Sequence, residues 1–268
     1  MIQTKKSYPL RIVVFFVIVV ASSFAMPISS KVFIAGATGA TGKHVVQQLL
    51  EKGNSVVAVT RSKDTMMGLI PQKDYGDRLQ IHEASILDLS DDELKSLTKG
   101  CSAVVSCLGH RPTFDGLFGH PKRLVTDATK RLTAAMPSDS KFILMGTEAV
   151  QLPIDPKRTF LERSVLFLLR NLLPPHVDNE EVAAFLQEHK EINWSALRPT
   201  NLVDADEADG IYKIQEESSL PLFGSQAISR ANVAHFMVEL VTNESTYSQW
   251  KHKMPVIVEK ESETKAEL

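Results

Sequence analysis

The chain has 268 residues, 43% hydrophobic, 7% aromatic and 23% charged, an ordinary globular balance that sets aside disordered, collagen-like and disulfide-scaffold readings. Thirty basic residues face 32 acidic ones; without Lys5, Lys6 and Arg11, the only charges in residues 1–30, the body holds 27 against 32. A mildly acidic body without a Lys/Arg-rich stripe lacks the electrostatic footprint for a phosphate backbone, so nucleic acid is excluded as the main partner.

Lys5, Lys6 and Arg11 precede an apolar run over residues 12–21, and small residues follow at Ser22, Ser23 and Ala25. That order is the signature of a secretory signal over residues 1–30. The apolar stretch 12–26 is 15 residues long, short of the roughly 20 that cross a bilayer, which favours cleavage. The alternative is an uncleaved signal anchor, with membrane attachment through residues 12–26. Ala21-Ser22-Ser23-Phe24-Ala25-Met26-Pro27 also resembles the cleavage motif of the two-part plastid leaders of algae with secondary plastids. The expected destination is the lumen, a membrane or a plastid, through the secretory pathway.

From Lys31 the pattern alternates. β-branched runs at residues 31–35, 55–60, 78–83, 103–108, 141–145, 194–197 and 255–258 are separated by helical stretches, which implies βαβ units and a mostly parallel sheet. Helices are predicted over 44–51, 121–136, 177–189 and 229–241, and Ser90-Asp91-Asp92-Glu93 is a capping box opening another through Leu97. The expected fold is α/β: a Rossmann-type, doubly wound, mostly parallel sheet over residues 31–258, with a small C-terminal substrate lobe and an apolar helical insert (153–176). Residues 259–268 read as a disordered tail. Cys101 and Cys107 lie six residues apart along a strand, up to ~20 Å at about 3.3 Å per residue, so both are expected as free thiols.

Gly36-Ala37-Thr38-Gly39-Ala40-Thr41-Gly42 sits between the first strand and the first helix, the context in which a glycine-rich turn binds a pyrophosphate. Gly36 permits the tight turn, Gly39 lets the backbone approach the phosphate, and Gly42 lets the helix pack close to the sheet. The helix dipole contributes only about 0.3 to 1 kcal/mol per charge, so backbone N–H groups and a separate cation have to supply the rest. Arg61, 19 residues past Gly42 at the end of the second strand, is that cation. NAD-preferring sites place an acid there, whereas Arg61-Ser62-Lys63 suits a 2′-phosphate, so the expected cofactor is NADPH.

The glycine motif, Arg61, Cys107-Leu108-Gly109 and Leu197-Arg198-Pro199-Thr200 together resemble the atypical short-chain dehydrogenase/reductases, in the NAD(P)-binding group of biliverdin and flavin reductases and NmrA-like proteins. Ile228-Ser229-Arg230-Ala231-Asn232-Val233-Ala234 is similar to that group's late helix start, with Asn232 where an Asp is usual. The resemblance implies that Gly36, Thr38, Gly39, Thr41 and Gly42 hold the pyrophosphate and that Arg61 with Ser62 holds the 2′-phosphate. It further implies that Ser85 and Ile86 border the adenine, Leu108 and Gly109 the nicotinamide-side ribose, and Pro199 and Thr200 the carboxamide end.

The family's Tyr-x-x-x-Lys pair is missing from the helix after the fifth strand; Tyr247 and Lys251 match the spacing but lie too late in the chain. Thr147, after the fifth strand, and His110 are the catalytic candidates, and Arg111 and His176 the substrate-side ones, with surface loop residues as the plain alternative for the histidines. The eight histidines show no metal-ligand spacing, so no metal is expected. The apolar insert reads as a lid over the substrate pocket, with burial against a partner subunit or a bilayer surface as alternatives. Two functions fit: an NADPH-dependent reductase passing hydride to a planar conjugated small-molecule acceptor (flavin, quinone or linear tetrapyrrole), or a non-catalytic NADPH-binding, NmrA-like redox-sensing regulator or assembly factor with a protein partner.

Overall fold

The computed structural model describes residues 30–110, 113–218 and 227–260. The leader and Arg111 lie outside them. β1 (Lys31–Ala35) is buried from its second residue on and leads through the glycine turn into α1 (Gly42–Glu51), whose Val45, Val46, Leu49 and Leu50 pack on the sheet. β2 (Ser55–Thr60) is buried past its first residue, and Ser62 then caps α2 (Lys63–Leu69) by accepting the Thr65 N–H. β3 (Leu79–Glu83) precedes α3 (Asp91–Thr98), where the expected capping box forms: Ser90 accepts the Glu93 N–H and the Glu93 carboxylate takes the Ser90 N–H.

β4 (Ala103–Ser106) is followed by the short α4 (Phe114–Phe118), α5 (Leu124–Ala135) and β5 (Lys141–Met145). The insert is a helix, α6 (Phe160–Leu172), which turns at Leu173 into α7 (Pro174–Glu188), with proline at the first turn where its missing N–H costs nothing. β6 (Trp194–Pro199) is wholly buried. The C-terminal lobe adds β7 (Asn201–Val203), β8 (Tyr212–Gln215), β9 (Ala227–Ser229), α8 (Arg230–Thr242), α9 (Glu244–Trp250) and β10 (Val256–Glu259).

The main sheet runs β3-β2-β1-β4-β5-β6-β10-β8, parallel except for β8, which pairs antiparallel with β10; β7 and β9 form a separate parallel pair. Strands buried on both faces read as continuous apolar runs, which is why the central ones were legible. One core cluster joins Val45, Val46 and Leu49 of α1 to Val233 and Met237 of α8. The other joins Leu94 of α3, Leu132 of α5 and Leu186 of α7 to Phe142 and Trp194. The order reverses between β1 and β4, and the carboxyl ends of the strands at such a reversal are the place where doubly wound sheets bind ligands.

Candidate functional site: the strand-end crevice

The glycine turn divides by exposure. Gly36 has φ +80°, and a Cβ there would stand 2.8 Å from the Cys107 carbonyl oxygen, so the turn lies against the end of β4. A Cβ on Gly42 would overlap the Gly36 carbonyl, which fixes the third glycine as a packing requirement of α1 on its own turn. Gly39 donates its N–H to Gly36 at 2.9 Å and accepts from Lys43 at 3.0 Å, while the Ala40, Thr41 and Gly42 N–H groups have no partner among the described residues. Gly36, Thr38, Gly39 and Ala40 are accessible, but Thr41 is only 3% exposed and Gly42 is buried. The rim from Gly36 to Ala40 is therefore the accessible part of the turn, while Thr41 and Gly42, buried as residues, are left to act on an anion through their N–H groups at the start of α1. Thr38 is held toward β2 by a 3.3 Å contact of its hydroxyl with that of Thr60.

Arg61 is exposed at the end of β2, with no hydrogen bond or ion pair among the described residues. Its neighbour Ser62 is already engaged: its hydroxyl accepts from the Thr65 N–H at 3.2 Å and the Thr65 hydroxyl at 2.9 Å. The Ser62 side chain is thus a helix cap that accepts two hydrogen bonds and keeps its own O–H donor beside Arg61. A carboxylate unnoticed in the sequence, Glu83 at the end of β3, takes the Lys63 N–H at 3.3 Å beside this corner. After β3, Ser85 is half-buried, but Ile86 is 5% exposed and packs in the core, so its adenine-bordering role is corrected too. The loop is fixed by Arg131 of α5, which donates to the Ile86, Leu87 and Leu89 carbonyls and to Asp91.

At the end of β4, Leu108 is half-buried and Gly109 exposed, with nothing within 4 Å of a Cβ built on it. His110 is turned inward. Its side chain is 7% exposed, Nε2 lies 2.8 Å from Asp178 Oδ2, and Nδ1 lies 3.1 Å from the Gly116 carbonyl. Asp178 in turn accepts the Val125 and Thr126 N–H groups at 2.8 and 2.9 Å. With both ring nitrogens occupied, His110 ties the β4 exit to α4 and α7, and its catalytic candidacy is corrected to a positioning role.

Thr147 sits just past β5, half-buried, with its hydroxyl 3.3 Å from the Ala149 N–H. The neighbouring backbone crosses to β6: Gly146 N–H donates to Leu197 at 2.8 Å and Glu148 N–H to Pro199 at 3.1 Å. Pro199 and Thr200 are buried, and Thr200 hydroxyl and N–H both face the Ile257 carbonyl of β10 at 3.4 Å. Thr200 therefore closes the β6–β10 seam, and its hydroxyl is not directed to a carboxamide.

Beneath Thr147 lies a buried polar network that the sequence reading missed. Arg198, within the quoted Leu-Arg-Pro-Thr stretch, is 2% exposed and forms a fork on Asp155 at 2.6 and 3.0 Å, with carbonyl contacts to Met254, Val150 and Glu216. Burial pushes the Asp155 carboxyl up, but Arg198 and the Ser218 and Leu152 N–H groups outweigh it and hold the carboxyl below its ordinary range. Next to this pair, Arg158 donates to Glu148 Oε1 at 2.9 Å, and Ser218 donates its hydroxyl to the same oxygen. Arg158 Nη1 is buried without a hydrogen-bond partner. An arginine in an apolar β-run was the only sequence signal for this network.

His176 lies in the first turn of α7, 3.5 Å from Glu180, with a side chain 9% exposed. Burial, then the Arg170 and Arg158 charges, lower its pKa against the pull of Glu180, so the ring is neutral at neutral pH. Tyr247 and Lys251 make no pair at the crevice. Tyr247 is buried on α9, and its ring faces the Lys141 ammonium at 4.5 Å, at the opposite, amino end of β5. Cys101 and Cys107 are free and buried, and burial raises their thiols to about 11 and about 12. Among the described residues no group of three or more His, Cys, Asp or Glu is arranged to hold a metal.

The residues at the crevice fit a dinucleotide: an accessible glycine rim, N–H groups at a helix start, and an unpartnered guanidinium at the end of the neighbouring strand. The sequence profile of the NAD(P)H-binding family matches residues 36–244. A chloroplastic protein of Arabidopsis thaliana, itself uncharacterized, is 29% identical over 225 residues, 81% of this chain and 74% of the relative. The chloroplastic divinyl chlorophyllide a 8-vinyl-reductase of the same plant is 24% identical over 236 residues, 83% of this chain and 52% of the enzyme, so the chain spans about half the length of that relative. Among solved structures, an anaerobillin reductase from Escherichia coli superposes with a TM-score of 0.58 at 16% identity, covering 87% of this chain and 98% of that one, a likeness of fold. With residues 36–244 matched by its profile, this chain belongs to the NAD(P)H-binding family, and its fold is of the Rossmann type.

Proposed function

We propose that this protein is an NADPH-dependent reductase that passes hydride to a planar conjugated acceptor: a flavin, a quinone or a linear tetrapyrrole. The observation that carries the reading is Arg61, exposed and without a partner among the described residues, at the end of β2 next to the strand that leads into the glycine rim. A fixed, planar guanidinium binds a phosphate dianion by two parallel hydrogen bonds, which favours NADPH over NADH. The cofactor, when bound, supplies the hydride. Residues 36–40 orient its phosphates, and Leu108 and Gly109 leave room along the β4 exit. Thr147, just past β5, offers its hydroxyl to the acceptor side. No Tyr–Lys pair stands at the crevice, so the proton that balances hydride transfer comes from solvent, which a conjugated acceptor tolerates because its negative charge is delocalised. The names of two relatives, a chlorophyllide vinyl-reductase and an anaerobillin reductase, support the tetrapyrrole branch, and two chloroplastic relatives support a plastid destination.

A second reading, a non-catalytic NADPH-binding regulator, is favoured by one observation: Tyr247 is buried at the amino end of β5, away from the crevice. Loss of reduced-nicotinamide absorbance with NADPH or NADH against flavins, quinones and biliverdin separates the two. The reductase reading expects one acceptor class to oxidise NADPH, faster than NADH. Tight NADPH binding with no turnover on any acceptor would contradict it and leave the regulator.

A further inference from the structure

α6 carries its apolar side chains outward. Phe160, Leu161, Phe167, Leu168 and Leu172 are 85, 70, 69, 58 and 57% exposed, whereas Val165 and Leu166 are half-buried. At 3.6 residues per turn these five occupy an arc of about 140°, a single face. Two polar residues also fall within that arc by helical spacing, Ser164, whose hydroxyl donates to the Phe160 carbonyl at 2.9 Å, and Asn171. Arg163 and Arg170, both exposed, lie together along one edge of the arc, and Glu162 lies on the far side. α4, which like α6 packs on α7, exposes Phe114 and Phe118 with ring centroids 5.1 Å apart. A soluble chain seldom leaves so many large apolar side chains of one helix in water.

We infer that α6 docks the protein on the surface of an anionic lipid bilayer, lying in the plane of the interface with its phenylalanines and leucines among the acyl chains. Charge complementarity selects this occupant. The body is acidic overall, 27 basic residues against 32 acidic, yet the edge of this apolar face carries two arginines, one of them shared with Glu180 at 3.1 Å and the other without a partner among the described residues. An apolar arc bordered by cations is what an interfacial helix presents to headgroups and acyl chains together. At 13 residues α6 is about 20 Å long, too short to cross the roughly 30 Å hydrocarbon core, so it lies on the bilayer and does not span it.

The test reads α6 itself, so attachment through residues 12–26 does not mask it, and it is independent of turnover. Full-length protein with Leu168→Cys carries an environment-sensitive fluorophore; Cys101 and Cys107 are buried, and Lys95→Cys on the exposed side of α3 is the control. Expected is a blue shift of the residue-168 probe on mixed phosphatidylcholine–phosphatidylglycerol vesicles, smaller on phosphatidylcholine alone and absent for the control. Arg163→Glu with Arg170→Glu, both at exposed positions, is expected to weaken the effect at least about tenfold. No blue shift on either vesicle, even when the chain sediments with them, overturns the inference. A shift that grows with protein concentration without lipid overturns it in favour of a second copy, and a shift on NADPH alone overturns it in favour of closure over the crevice.

Discussion

Arg61 and Gly42 respond oppositely to substitution. Arg61 is exposed and unpartnered, so Arg61→Ala is expected to leave stability unchanged while weakening NADPH binding about 10- to 100-fold, the value of a charge-assisted hydrogen-bond pair, and leaving NADH binding as it was. Calorimetric titration of both nucleotides checks this. Gly42 is a packing residue. Gly42→Ala drives a Cβ into the Gly36 carbonyl, whereas Gly109→Ala meets nothing within 4 Å. In urea the first is expected to unfold several kcal/mol more easily and the second within about 0.5 kcal/mol of the parent. The glycines were readable because each is needed by backbone geometry; Arg61 was readable because its position after a strand is fixed by topology. Ile86 and Thr200 face away from their expected ligand for a physical reason. Position past a strand end does not say whether a side chain turns to the ligand, the core or a cap.

At the scale of elements, two buried networks hold the crevice in shape. Asp178 of α7 accepts two N–H groups at the start of α5 and one ring nitrogen of His110, work that a local cap would otherwise do, since Arg123 offers none. Asp178→Asn puts an amide N–H against a backbone N–H and is expected to cost about 1 to 3 kcal/mol, measured by denaturant unfolding. Arg198 and Asp155 bind the 150–155 loop to β6 and to Ser218. Arg198→Met leaves a buried carboxylate unpaired, and a loss of about 3 to 5 kcal/mol is expected. Because the folded Asp155 titrates below its unfolded value of about 3.9, the stability it contributes is complete above that pH and is lost as pH falls below it. Parent stability should therefore drop more steeply than that of Asp155→Asn as pH falls below about 4. The six inner strands of the main sheet were legible as apolar runs, but β7, β8 and β9 are short and half-exposed and left no comparable periodicity. Both networks escaped because their partners lie 40 to 70 residues apart, a separation that only the fold closes.

For the whole molecule, the reversal of strand order between β1 and β4 places the glycine turn, the β2 end and the β5–β6 ends on one edge, and that edge is the case for a dinucleotide. The fold was recoverable from alternation and one motif, since a parallel sheet needs helical crossovers and a phosphate site needs a glycine turn at the reversal. The acceptor was not, because the residues beyond the strand ends face a pocket whose contents no motif specifies. The central claim is that this edge binds NADPH through Arg61, and the most direct measurement is a titration of the full chain with NADPH and with NADH, repeated on Arg61→Ala. Saturable NADPH binding at least about tenfold tighter than NADH, with the preference abolished by Arg61→Ala, is the result expected. Binding of neither nucleotide, or equal binding of both by parent and variant, would contradict it.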